Sequence, residues 1–100
     1  MRLKKGNKLY VRIDYKVENK DMTHQDFQDH LTYVKNVASE QYFVGGGFSN
    51  IGGGMILLEA VNLEEAQKVF HNDPIIERGL YRCEIFEWEL VVSSEDIDAQ

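Results

Sequence analysis

His30 and Asp73 are the two side chains whose types invite a chemical reading. Imidazole titrates near neutral pH, so His30 can take a proton and return it under working conditions. A carboxylate on the far ring nitrogen would fix the tautomer and stabilise the imidazolium, and Asp73 is the candidate. Each residue also has a plainer role. Asp73 precedes Pro74, and Asp-Pro is a helix start, with Asp as N-cap and Pro at the first helical position. A carboxylate has two oxygens, so capping and orienting a histidine are compatible. His30 has Asp26 four residues back, a spacing that suits a surface ion pair on one helix. Spacing alone leaves both readings of His30 open.

Other candidates surround this pair. Arg12 can hold an anionic substrate, with Tyr10, Trp88 and Phe48 as aromatic contacts. It can equally form an internal salt bridge with Asp14 or Glu84. His24 and His71 read as exposed residues in the first turn of one helix and the last turn of another. His30, His71 and Asp73 lack any metal-ligand spacing, so neither a metal nor another cofactor is expected. Cys83, the one cysteine, reads as a small core residue and excludes an internal disulfide. The run Gly45-Gly46-Gly47-Phe48-Ser49-Asn50-Ile51-Gly52-Gly53-Gly54 holds two glycine triplets, but no Lys-Ser/Thr follows them. It reads as a hairpin rather than a phosphate cradle.

The elements that must position these residues follow from periodicity. Residues 8–17 alternate, with Leu9, Val11, Ile13, Tyr15 and Val17 on one face and Tyr10, Arg12, Asp14 and Lys16 on the other. The first set reads as the face under the helices, the second as the face opposite them. Thr23 caps a helix to about Ser39, whose stripe is Phe27, Leu31, Val34, Val37 and Ala38, with His30 at its margin. Tyr42-Phe43-Val44 opens a second strand. Met55 to Val61 is a third, apolar on both faces. Asn62 caps a second helix with Leu63, Ala66, Val69 and Phe70 inward. The Asp73-Pro74 turn, closed by Gly79, leads to a fourth strand over Tyr81 to Val92. There Cys83 and Ile85 oppose Phe86, Trp88 and Leu90.

Composition narrows the function classes. The chain has 100 residues, 43% of them hydrophobic, enough for one domain with a real core. The net charge of −6 argues against nucleic acid, whose phosphates need a basic surface. No apolar run reaches membrane-spanning length and the first residues lack a signal-type apolar stretch, so a cytoplasmic protein without membrane contact is expected. Residues 1–7 read as a flexible lead-in, 8–92 as a single domain, and 93–100 as an acidic tail.

Strand, helix, strand, strand, helix, strand is the ferredoxin-like βαββαβ order, an α+β fold with a four-stranded antiparallel sheet and two helices on one face. Alternation puts Tyr10, Phe86, Trp88 and one side of the Met55–Leu58 run on the other face. An apolar patch of that size calls for a partner, so a homodimer packed sheet to sheet is expected.

The chain resembles the YciI-like (YCII-related) family of the dimeric α/β-barrel superfamily. The resemblance covers residues 8–90. It rests on Tyr10-Val11-Arg12, Asp29-His30-Leu31, Gly45-Gly46-Gly47-Phe48, Glu64-Glu65-Ala66, Asn72-Asp73-Pro74 and Gly79-Leu80-Tyr81. It implies a ferredoxin-like protomer, a dimeric α/β barrel, and a His–Asp pair in a cleft, matching His30 and Asp73. Two departures bear on the pocket wall. Phe48 stands where family members often carry proline after two glycines, and Ile75 where they tend to carry an aromatic after Asp-Pro. Related members are implied to carry out dehydrochlorination or similar acid–base chemistry on small cyclic compounds.

The expectation is therefore a cofactor-free small-molecule enzyme of lyase or isomerase type, with His30 moving a proton and Asp73 orienting it. Two alternatives stand beside it: a non-catalytic ligand-binding or interaction domain, and a cofactor-free monooxygenase.

Overall fold

A computed structural model describes residues 7–92. Strand β1 (Lys8–Lys16) is followed by α1 (His24–Glu40), β2 (Phe43–Gly47), β3 (Gly54–Ala60), α2 (Leu63–His71), the short α3 (Pro74–Glu77) and β4 (Tyr81–Trp88). The four strands form one antiparallel sheet in the order β2-β3-β1-β4, which is the ferredoxin-like arrangement. The expected lead-in up to residue 6 and the acidic tail at 93–100 lie outside the described residues. β4 stops at Trp88, short of the expected Val92.

Local signals set the helix starts. Thr23 accepts from the Asp26 N–H while Asp26 accepts from the Thr23 N–H, a reciprocal capping box. Asn62 accepts from the Glu65 N–H at 2.8 Å. Asp73 caps α3 with Pro74 behind it, and Gly79 ends that turn at φ +72°.

The core lies between the sheet and α2. Tyr10, Ile56, Leu58, Ala60, Ala66 and Phe70 are buried together, with Val37, Phe43, Val69 and Ile85 against them. Helix α1 has no fully buried residue, and even Phe27 on its apolar stripe is exposed. Polar ties therefore carry much of its attachment. The Tyr33 hydroxyl donates to the Val69 carbonyl at 2.6 Å, and one Arg78 nitrogen lies 2.8 Å from both Asp26 and Asp29.

The faces of β1 are the reverse of the sequence expectation. Tyr10, Arg12 and Asp14 point toward the helices and are buried, while Val11 and Ile13 face the opposite side with Met55, Leu57, Phe86 and Trp88. Alternation was read correctly, but not which side the helices cover. The inward face accepts charge because Arg12 meets carboxylate partners there, and the aliphatic set goes to the open face.

The β2–β3 hairpin closes through a Phe48 N–H to Gly53 carbonyl bond of 3.0 Å. Gly53 sits at φ +98°, and a Cβ there would lie 2.3 Å from the Asp14 carbonyl oxygen. Both facts demand glycine. Gly53→Ala is expected to cost about 1–3 kcal/mol, read as a lowered thermal midpoint. Gly46→Ala, where a Cβ meets nothing within 4 Å, is the control expected to stay near wild type. Equal midpoints for the two variants would contradict the account.

Candidate active site

The site is built from three places in the chain. Central strand β1 supplies Arg12 and Asp14, two positions apart and thus on one face. Helix α1 supplies His30, and the α2–α3 turn supplies Asp73. Asp73 is fully buried at 0% exposure and Arg12 at 1%.

Hydrogen bonds join all four. His30 Nδ1 lies 2.8 Å from Asp73 Oδ1 and 2.9 Å from Oδ2. Arg12 Nη2 donates to Asp73 Oδ2 at 2.9 Å and to Asp14 Oδ2 at 2.9 Å. Arg12 Nε donates to Asp14 Oδ1 at 2.7 Å, and Nη1 to the Phe70 carbonyl at 3.0 Å. The Arg12 guanidinium also lies 5.6 Å from the centre of the Phe70 ring. Asp73 Oδ1 accepts the Ile75 N–H at 3.2 Å, so the carboxylate caps α3 and engages the histidine at once.

These contacts set the charges. Burial works to raise the Asp73 carboxyl, but the His30 hydrogen bond and the Arg12 charge outweigh it and hold it below the usual carboxylate range. Burial also opposes the charge on Arg12; its bonds to Asp14 and Asp73 prevail and hold it above its ordinary value. Burial pushes the Asp14 carboxyl up, against the pull of Arg12. With Asp73 ionised, the hydrogen between it and His30 belongs on Nδ1. The other ring nitrogen, Nε2, has no partner among the described residues, and the ring lines a cavity.

That cavity, about 250 Å³, lies between α1 and the glycine-rich end of the sheet. Phe27, Leu31, Val34, Phe43, Ile56 and Ile75 make it largely apolar, and backbone of Gly45–Gly47, Gly53 and Gly54 forms one wall. Asp14, His30 and Tyr81 are its ionisable side chains.

His30 and Asp73 thus come together as the sequence suggested, and Asp26 is engaged by Thr23 and Arg78. The other candidates do not gather at the cavity. Arg12 lies behind it, each guanidinium nitrogen donating to a protein acceptor, so of the two readings open for Arg12 the internal salt bridge to Asp14 is the one present. Tyr10 is in the core, Trp88 is on the opposite face of the sheet, and Phe48 is in the hairpin outside the lining. Cys83 is half-buried, its thiol pushed up by burial. Sequence reasoning missed Asp14 as a cavity residue. Its signal was the Arg-x-Asp spacing on one strand face. Among the described residues no cluster of three or more potential metal ligands occurs, and no helix is long and apolar enough to cross a membrane.

Fold and site together define an α+β, ferredoxin-like protein with a His–Asp pair at the edge of an apolar cleft. The chain belongs to the YCII-related domain family, whose model matches residues 8–89. It is 36% identical over 67 residues to the uncharacterized protein YjpA of Bacillus subtilis (strain 168), a match covering 67% of this chain and 73% of that one. Its fold is similar to that of 5-chloro-2-hydroxyhydroquinone dehydrochlorinase (TftG) from Burkholderia phenoliruptrix AC1100, solved in complex with 2,5-dihydroxybenzoquinone. The TM-score is 0.68 at 18% identity, over 81% of this chain and 93% of that one.

Proposed function

We propose that this protein is a cofactor-free acid–base enzyme acting on a small cyclic compound, of the lyase or isomerase type. The observation that carries the reading is His30, tied through Nδ1 to a buried ionised Asp73 while its ring lines the cavity. A neutral imidazole with hydrogen on Nδ1 offers the Nε2 lone pair to a bound molecule. Asp73 stabilises the imidazolium that forms, and Arg12 keeps Asp73 ionised. Arg12 is a positioning residue in this scheme, without contact to substrate.

In an elimination, Nε2 takes an O–H or C–H proton. The electron pair left behind forms a new π bond to the carbon that bears the leaving group, which is tetrahedral in the keto tautomer of the ring, and the leaving group departs with the pair of the bond that breaks. The step balances with no oxidant. The neighbouring dehydrochlorinase supports elimination as the first chemistry to assay. The test is chloride release from 5-chloro-2-hydroxyhydroquinone by the wild type and by His30→Ala. Turnover that survives the substitution rejects His30 as base; binding of the compound without turnover favours a ligand-binding domain.

We further propose that the working form is a homodimer joined through the open sheet face. Val11, Ile13, Met55, Leu57, Phe86 and Trp88 line an apolar groove of about 390 Å³ there. Phe86 is 50% exposed and Trp88 45%, a large cost for a lone protomer. Sedimentation at micromolar concentration is expected to give twice the 11.6 kDa chain mass. Replacing Trp88 by Lys is expected to shift the protein to monomer. A monomeric wild type would refute the proposal.

A further inference from the structure

We propose that Asp14 is the specificity-determining residue of the cavity, admitting uncharged ring compounds that carry a hydroxyl and rejecting carboxylates and phosphates of the same size. The proposal rests on the preceding reading only in taking this cavity as the ligand site. It does not require His30 to be a base.

The argument starts from charge. Arg12 is one positive group between two carboxylates, Asp14 and Asp73. One guanidinium against two carboxylates leaves these three residues with an excess of negative charge. The only cation among them does not line the cavity and is 1% exposed. Among the described residues no lysine or arginine lines the wall. Asp14 does line it and is itself 6% exposed, so its charge faces the bound molecule through little water. Burial pushes the Asp14 carboxyl up, and the two-point, charge-assisted bond to Arg12 opposes that rise by favouring the ionised form.

Hydrogen-bond capacity points the same way. A carboxylate offers about four lone-pair directions. Arg12 occupies one on each oxygen, leaving acceptor capacity for a donor from the cavity. A hydroxyl supplies that donor. A carboxylate or phosphate supplies only more negative charge, and like charges brought together in a desolvated site are strongly disfavoured. Apart from His30 and Tyr81 the remaining wall is apolar, and the volume of about 250 Å³ falls below the range of drug-sized pockets, which suits a single ring. Asp14 therefore sorts ligands by charge, while His30 meets whichever ring enters.

The probes are catechol, an uncharged dihydroxylated ring, and benzoate, an anionic ring of similar size, each titrated into the full chain and followed through the His30 ring resonances. Catechol is expected to bind about a hundredfold more tightly than benzoate, or better. Asp14→Asn, which removes the charge and leaves an amide oxygen for Arg12, is expected to shrink that gap to under about tenfold. Equal affinities in the wild type, failure of both rings to bind, or an unchanged gap in the variant would overturn the proposal. Should Asp14→Asn fail to fold, benzamide decides in the wild type. It has the shape of benzoate without the charge, and binding no tighter than benzoate would overturn the charge filter. His30→Gln, with binding followed by titration calorimetry, is expected to keep the gap. A wild type that turns substrate over without selectivity thus strikes Asp14 alone, and a wild type that is selective without turnover strikes the acid–base reading alone.

Discussion

Asp73→Ala is expected to lower the stability of the domain by about 3–5 kcal/mol, the usual result of removing one partner of a buried ion pair. The side chain is fully buried and accepts from three groups: the His30 ring, Arg12 Nη2 and the Ile75 N–H. Its loss leaves Arg12, at 1% exposure, with Asp14 as the one carboxylate against its charge. It also uncaps α3, which contributes about 1 kcal/mol of the total. Urea unfolding with an unchanged denaturant slope is the measurement, and a loss below about 1 kcal/mol would contradict the geometry. The pH dependence has a definite sign. The folded Asp73 carboxyl is held below its ordinary value, first against burial and then by His30 and Arg12. Its contribution is fully present above the unfolded carboxylate pKa of about 3.9 and is lost as pH falls below that toward the folded value. The stability gap between wild type and Asp73→Ala should therefore narrow in that acid window.

His30→Ala is expected to reduce turnover by about 10²–10⁴-fold while leaving the fold in place. The contrast with Asp73 comes from position. The His30 side chain is 16% exposed on a helix without a buried residue, and Asp73 is its one hydrogen-bonding partner among the described residues. Removing the ring leaves Asp73 still bonded to Arg12 and to the Ile75 N–H, so no buried charge is stranded. Far-ultraviolet circular dichroism should match wild type, and added imidazole should restore part of the rate. A loss of less than tenfold, or an equal loss of structure, would assign His30 a packing role.

Much of this was legible before any coordinates. The helix starts at Thr23, Asn62 and Asp73 follow from capping chemistry, and the strand order follows from alternation and element sequence. The His30–Asp73 encounter was legible only as one of two options, because Asp26 stood at a competing spacing; Arg78 resolves the choice by engaging Asp26. Alternation assigns residues to opposite faces but does not say which face is covered. Val11 and Ile13 made one side of β1 apolar and Arg12 and Asp14 made the side with Tyr10 polar, so the apolar side was the one expected under the helices. Arg12 and Asp14 decided the matter through a partner 61 residues away from Arg12, which no local pattern reveals. Trp88 and Tyr10 were grouped as cavity walls by residue type, and type carries no information on depth or side.

The position of β1 has a bearing on how the chain acquires its structure. It is made first among the strands yet lies in the middle of the sheet, paired with Gly54–Ala60 on one edge and Tyr81–Trp88 on the other. During synthesis its second edge stays unsatisfied until Trp88 has left the ribosome. The nascent strand is unpaired until Ala60 is made and half-paired from there to Trp88, and folding is dominated by contacts distant along the polymer, which slows the final closure.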